Sequence, residues 1–228
     1  MKNVLIKVCG VTTPEIIDAA VAAGADALGV MHYEKSPRHV EAEKLPEIVD
    51  HIHAASAKHG RNVQAVLVVY GMEVTAATQL SIAVGAHALQ LHGSYTRDDF
   101  EAARGVAGQR LELWRAVSLS DFPEAYAGEF GEDRLLLDAP VPGAGKPWDT
   151  QLLRGRDRGS FLLAGGLTPD NVATVIADAD PEGVDVSSGV EAQRGVKDPR
   201  LVRTFIERAR AASAATDQPA AGKPVTEQ

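Results

Sequence analysis

Eight short apolar runs recur along the chain, each followed by a longer stretch of mixed character, and this alternation limits the fold more than any other feature. The runs fall at 4–9, 27–32, 63–69, 88–92, 111–117, 135–138, 161–164 and 184–187. Most are nearly continuous in Val, Leu, Ile and Ala, as strands covered on both faces by helices should be. The stretches between them carry helix start signals: Thr13-Pro14-Glu15 before Ile16, Thr168-Pro169-Asp170 before Val172, and Asp198-Pro199 before Leu201, Val202, Phe205 and Ile206. Proline suits the first helical position because its missing N–H would be unpaired there anyway. Strands alternating with helices predict an α/β protein with a parallel sheet. An open doubly wound sheet and a closed barrel both satisfy that pattern. Eight regular pairs within 228 residues favour closure, a single-domain (β/α)8 TIM barrel over 1–211. Residues 212–228, rich in Ala, Pro, Thr, Gln and Lys without apolar periodicity, are expected to form a disordered C-terminal tail.

Composition excludes several function classes. Hydrophobic residues at 45% and charged residues at 24% match an ordinary globular mixture. No apolar run reaches the roughly 20 residues that cross a bilayer, and nothing resembles a signal peptide, so no membrane partner and a cytoplasmic location are expected. The one cysteine, Cys9, cannot form an intramolecular disulfide and fits a reducing compartment. A net charge of -8 repels nucleic acid, so a phosphorylated ligand must be held by local backbone donors. The seven histidines and one cysteine assemble no metal motif.

A parallel barrel does its chemistry at the carboxyl ends of the strands, where the reactive residues collect here. Cys9-Gly10 closes the first run, Gln90-Leu91-His92-Gly93 the fourth, Asp138 the sixth, Gly165-Gly166 the seventh and Ser187-Ser188-Gly189 the eighth. Cys9 is either a buried small hydrophobe or a base, and a base needs a nearby cation or donors to ionise near neutrality. Asp138 either caps the following loop or, desolvated, holds a proton to donate. The glycine-rich ends of runs seven and eight suit a phosphate held by loop amides. Arg38, in the loop after run two, is either a solvated surface group or a carboxylate clamp. Side chains two apart share a strand face, so Lys7 lies with Cys9 and Asp185 with Ser187. Neighbouring first and eighth strands would then bring Lys7 and Asp185 together as an ion pair beneath the mouth. Gly143-Ala144-Gly145-Lys146 lacks the full phosphate-loop pattern.

Together, Lys7-Val8-Cys9-Gly10-Val11-Thr12, Lys35-Ser36-Pro37-Arg38, Gln90-Leu91-His92-Gly93, Leu136-Leu137-Asp138, Ala164-Gly165-Gly166-Leu167 and the segment from Asp185 to Glu191 resemble the phosphoribosylanthranilate isomerase family. The resemblance runs from about Lys2 to Ala211. It implies a cofactor-independent Amadori rearrangement in tryptophan biosynthesis. N-(5-phosphoribosyl)anthranilate becomes the 1-(2-carboxyphenylamino)-1-deoxyribulose 5-phosphate product, with no metal. It implies Asp138 as general acid and Cys9 as general base. Arg38 would hold the anthranilate carboxylate; Gly165, Gly166, Ser188 and Gly189 would hold the phosphate. Lys7, Gln90, His92, Asp185 and Ser187 would support them, in a monomer or homodimer. The alternatives are a related phosphoribosyl isomerase of histidine biosynthesis, which would use two aspartates, and a non-catalytic phosphosugar-binding barrel. The chain departs from the family pattern at His32-Tyr33-Glu34, Val69-Tyr70, Ser94 and the loop from Pro142 to Pro147.

Overall fold

The computed structural model describes residues 3–139, 153 and 157–216. Eight parallel strands close into a barrel in sequence order: β1 (Leu5–Cys9), β2 (Ala27–His32), β3 (Gln64–Tyr70), β4 (Ala88–His92), β5 (Glu112–Ser118), β6 (Arg134–Asp138), β7 (Phe161–Ala164) and β8 (Gly183–Val186). All eight expected strands are present, each within a residue or so of its predicted bounds. The α/β barrel is therefore the observed architecture.

Alternate residues divide between two apolar compartments, as the pleat requires. Val66, Val68, Ala88, Trp114, Ala116, Leu136 and Leu162 fill the barrel interior with Cys9. Ile6, Val8, Leu28, Val30, Leu67, Leu89 and Leu113 belong instead to the larger layer beneath the helices. Those helices are α1 (Pro14–Ala23), α2 (Leu45–Lys58), α3 (Val74–Ala83), α4 (Arg97–Ala107), α5 (Val172–Ala179) and α6 (Pro199–Thr216). Pro14 and Pro199 open their helices as expected. Pro169 does not: residues 168–171 form a turn, and α5 starts at Val172 behind Asn171.

Two other expectations need correction. The segment 119–133 between β5 and β6 runs through turns rather than a helix. Arg115, almost fully buried on β5, anchors it: the guanidinium pairs with Glu129 at 2.6 Å and lies 3.6 Å from the centroid of the Phe130 ring. Pro123, Gly128 and Gly131 in this segment oppose helix propagation. The last helix also continues past residue 211 to Thr216. Ser213 is buried and accepts the Val4 N–H at 3.0 Å, while Arg210 binds Asp26 and donates to the Val4 carbonyl at 2.7 Å. These contacts with the start of the chain extend the ordered helix beyond its apolar stripe. Residues 217–228 lie outside the described residues, as does the loop from Pro142 to Pro147.

Candidate active site

The mouth of the barrel opens from a charged floor. Lys7 on β1 and Asp185 on β8 are registered partners, and Lys7 Nζ lies 2.9 Å from Asp185 Oδ2. This is the ion pair that the strand periodicity predicts. Lys7 is fully buried, which alone would lower its pKa. Asp185 and Cys9 outweigh that and hold it above its ordinary value, so Lys7 remains an ammonium.

Above the pair lies a cavity of about 650 Å³. Cys9, Arg38, Gln90, His92, Asp138, Gly165, Gly166, Asp185, Ser187 and Ser188 all face it, which brings ten of the predicted residues to one place. Lys7 stands beneath the floor, and Gly189 does not line the cavity. A Cβ at Gly189 would meet the Leu167 carbonyl oxygen at 1.8 Å, so this glycine lets the turn after β8 pack on the loop after β7. It fits one loop to the other.

Asp138 ends β6 at the cavity wall. Burial, reinforced by the Asp185 charge, pushes its pKa up to about 6, against a smaller opposing effect of the Ala139 N–H. Its Oδ1 is buried and accepts no hydrogen bond among the described residues. Gly165 makes room for that carboxyl: a Cβ there would sit 2.0 Å from Asp138 Oδ1, and the residue has φ +80°. Cys9 is 5% exposed, and burial raises its pKa. Lys7 opposes that rise, Asp185 adds to it, and Lys197 opposes it. His92 is held below its ordinary pKa by burial and then by Lys7, so its imidazole is neutral near pH 7. Gln90 is buried at the wall, with Oε1 accepting nothing among the described residues.

Arg38 reaches the same cavity, but one edge of its fork is occupied. Its Nε and Nη2 donate to Glu191 Oε1 and Oε2 at 2.5 and 2.9 Å. The Nη1 edge has no partner among the described residues. Glu191 opens a short hairpin of β9 (Glu191–Gln193) and β10 (Val196–Lys197). Glu191, Gln193 and Arg194 all line the mouth; in the sequence Glu191 stood out only as the end of a family-like segment, without a role, and the other two not at all. The signal was weak, a polar stretch with Arg194-Gly195 at its turn. Tyr70, at one of the departures from the family pattern, lies tilted against Tyr33 with ring centroids 5.1 Å apart and edge-on to His92 at 5.8 Å, forming an aromatic rim.

A family model described as N-(5'phosphoribosyl)anthranilate (PRA) isomerase matches residues 6–208. The chain belongs to this family. An N-(5'-phosphoribosyl)anthranilate isomerase of Erythrobacter litoralis is 38% identical over 214 residues, spanning 90% of this chain and 98% of that protein. The crystal structure of TrpF from Jonesia denitrificans shares 44% identity and a TM-score of 0.81, covering 92% of this chain and 98% of the other. A phosphoribosyl anthranilate isomerase solved in complex with reduced 1-(o-carboxyphenylamino)-1-deoxyribulose 5-phosphate is 30% identical, with a TM-score of 0.71 over 91% of this chain and 99% of its own. The activity of the phosphoribosylanthranilate isomerase family, an isomerisation in tryptophan biosynthesis, is accordingly that of this chain. Among the described residues no helix is long and apolar enough to cross a membrane.

Proposed function

We propose that the mouth cavity performs the rearrangement of N-(5'-phosphoribosyl)anthranilate with Asp138 as general acid and Cys9 as general base. The observation that carries this reading is that a carboxyl pushed up to about 6 and the only thiol of the chain share one cavity. Asp138 gives its proton to the ribose ring oxygen, the C1′–O bond breaks, and the nitrogen lone pair forms a Schiff base. Cys9 then takes the C2′ proton, and the electrons of that C–H bond neutralise the iminium as an enolamine. Tautomerisation delivers the ketone.

The remaining lining residues fit the two anionic ends of such a substrate. Gly165, Gly166 and Ser188 lie on the phosphate side, with Asn171 fixing the loop by donating to the Gly166 carbonyl at 2.8 Å. Gly189 supports that side by packing. The free Nη1 edge of Arg38 receives the carboxylate while Glu191 grips the opposite edge. Gln90 and His92 supply a polar wall, and Ser187 Oγ ties the strand ends by donating to the Cys9 carbonyl at 3.0 Å. The protein acts in the cytoplasm as a monomer or homodimer, and no step requires a cofactor.

Purified protein offered phosphoribosylanthranilate is expected to abolish the substrate fluorescence. Cys9→Ala and Asp138→Asn should each reduce turnover by about 100-fold or more. No turnover by the unmutated protein would remove the substrate, and near-normal activity in either variant would remove the assigned roles.

A further inference from the structure

Among the described residues beside the site, Lys197 is a buried cation that the mechanism does not use. Lys197 on β10 has a side chain only 2% exposed, and its Nζ donates to the Ser187 carbonyl at 3.1 Å. Ser187 in turn donates its hydroxyl to the Cys9 carbonyl at 3.0 Å, so the hairpin is tied to the end of β1 through one residue. Glu191 Oε1 stands 3.6 Å from Lys197 Nζ. That carboxylate is already satisfied by Arg38 at 2.5 and 2.9 Å and by the Gly195 N–H at 3.0 Å.

Charge balance shows what Lys197 lacks. Lys7 is matched by Asp185 at 2.9 Å, and Arg38 by Glu191 at 2.5 Å. Lys197 is the third cation in this group and has no carboxylate of its own. A buried ammonium whose one carboxylate partner, Glu191 at 3.6 Å, is shared with Arg38 is under-compensated, and the Cys9 thiol is a nearby group able to become an anion. The charged groups facing Cys9 are Lys7 on its own strand, Asp185 on β8 and Lys197 on β10. On β2 the neighbour is Gly29, which carries no charge. At Cys9 the charge of Asp185 opposes the larger effect of its partner Lys7, and Lys197 adds to that of Lys7.

We propose that Lys197 is a positioning residue for Cys9, an ammonium carried on the β9–β10 hairpin whose charge the Cys9 thiolate balances. Glu191 sets how much of that charge Cys9 feels. This extends the assignment of Cys9 as base, but its test does not depend on the substrate. Burial lowers the pKa of Lys197, while Cys9 and Glu191 draw it back up, as mutual stabilisation requires.

Because Cys9 is the only cysteine, the rate of alkylation by iodoacetamide as a function of pH reports its ionisation without any turnover. Lys197→Met should move the alkylation midpoint upward by about one pH unit, roughly a tenfold slower reaction at fixed pH below it. Lys197→Arg should restore the midpoint to within about threefold in rate. Glu191→Gln removes the opposing charge and should move it downward. A merely structural role would not reverse sign between the two sites. An unchanged midpoint in Lys197→Met, or an upward shift in Glu191→Gln, overturns the proposal. Should Lys197→Met fail to fold by circular dichroism, Lys197→Gln is read in the same assay, and an unchanged midpoint there overturns the proposal. A normal alkylation result in a protein that does not turn over phosphoribosylanthranilate would fault the substrate assignment and leave this one standing.

Discussion

Asp138→Asn should stabilise the protein while disabling it, and the gain should depend on pH in a direction fixed by the site. The carboxyl titrates at about 6 in the folded chain against an ordinary value of 3.8. The folded state therefore holds the proton more tightly than the unfolded state. Its ionised form opposes folding, with the penalty absent below the unfolded value and fully developed above the folded one. A shift of roughly two units at 1.36 kcal/mol each makes that penalty about 3 kcal/mol at pH 8. By the same linkage it falls to about half that at pH 5. Asparagine fits the same space beside Gly165, can still accept the Ala139 N–H, and carries no charge to desolvate or to repel Asp185. Urea denaturation of both proteins at the two pH values measures the difference directly. The reasoning is refuted if the variant is no more stable at pH 8, or if its advantage grows as the pH falls.

Lys7→Met leaves Asp185 as an uncompensated buried carboxylate and should cost about 3–5 kcal/mol in chemical denaturation at pH 7, most of it recovered in Lys7→Met/Asp185→Leu; a loss below about 1 kcal/mol would show the pair is not a unit. Gly189→Ala places a methyl against the Leu167 carbonyl at 1.8 Å, so the loops after β7 and β8 must part. Steady-state kinetics should show KM for the phosphorylated substrate raised about tenfold with a smaller change in kcat, equivalent to about 1.4 kcal/mol of binding. Unaltered KM would remove Gly189 from the support of the phosphate side.

The barrel was legible because parallel strands covered on both faces must be apolar throughout, and runs such as Leu135-Leu136-Leu137 and Val66-Leu67-Val68 announce that without reference to neighbours. The polar residues closing those runs pointed to the mouth for the same reason: a strand that turns from Leu137 to Asp138 has reached its functional end. The Lys7–Asp185 pair followed from a period of two and from barrel closure. Other features depended on contacts distant in sequence. The turns at 119–133 replace a helix because Arg115, on an earlier strand, supplies a buried guanidinium for Glu129 and Phe130 to close over. Glu191 and Lys197 look like an ordinary polar stretch until the hairpin folds them against Arg38 and Ser187. The packing of Gly189 on the Leu167 carbonyl was not legible either, because a glycine that admits a ligand and one that admits a neighbouring carbonyl leave the same mark in sequence.

The two reactive groups stand in an order that the proposed roles must overcome. With Asp138 near 6 and Cys9 raised by burial, the free site at pH 7 holds mostly a carboxylate and a thiol, whereas the reaction starts from an acid and a thiolate. The two forms differ only by which group holds the proton, so net charge does not separate them and local field does. Under the proposed placement, a phosphate beside Gly165 would bring negative charge to the very residue that abuts Asp138, favouring its protonated form. A carboxylate received by Arg38, as proposed, would bring its charge to a cation already shared with Glu191, so less of it would reach Cys9. On the proposed assignment the anionic ends of the substrate would act unequally on the two groups, and the site would become competent as it fills. Lys197 supports the other half of that exchange, because a thiolate formed when Cys9 gives up its proton has a buried ammonium nearby to balance it.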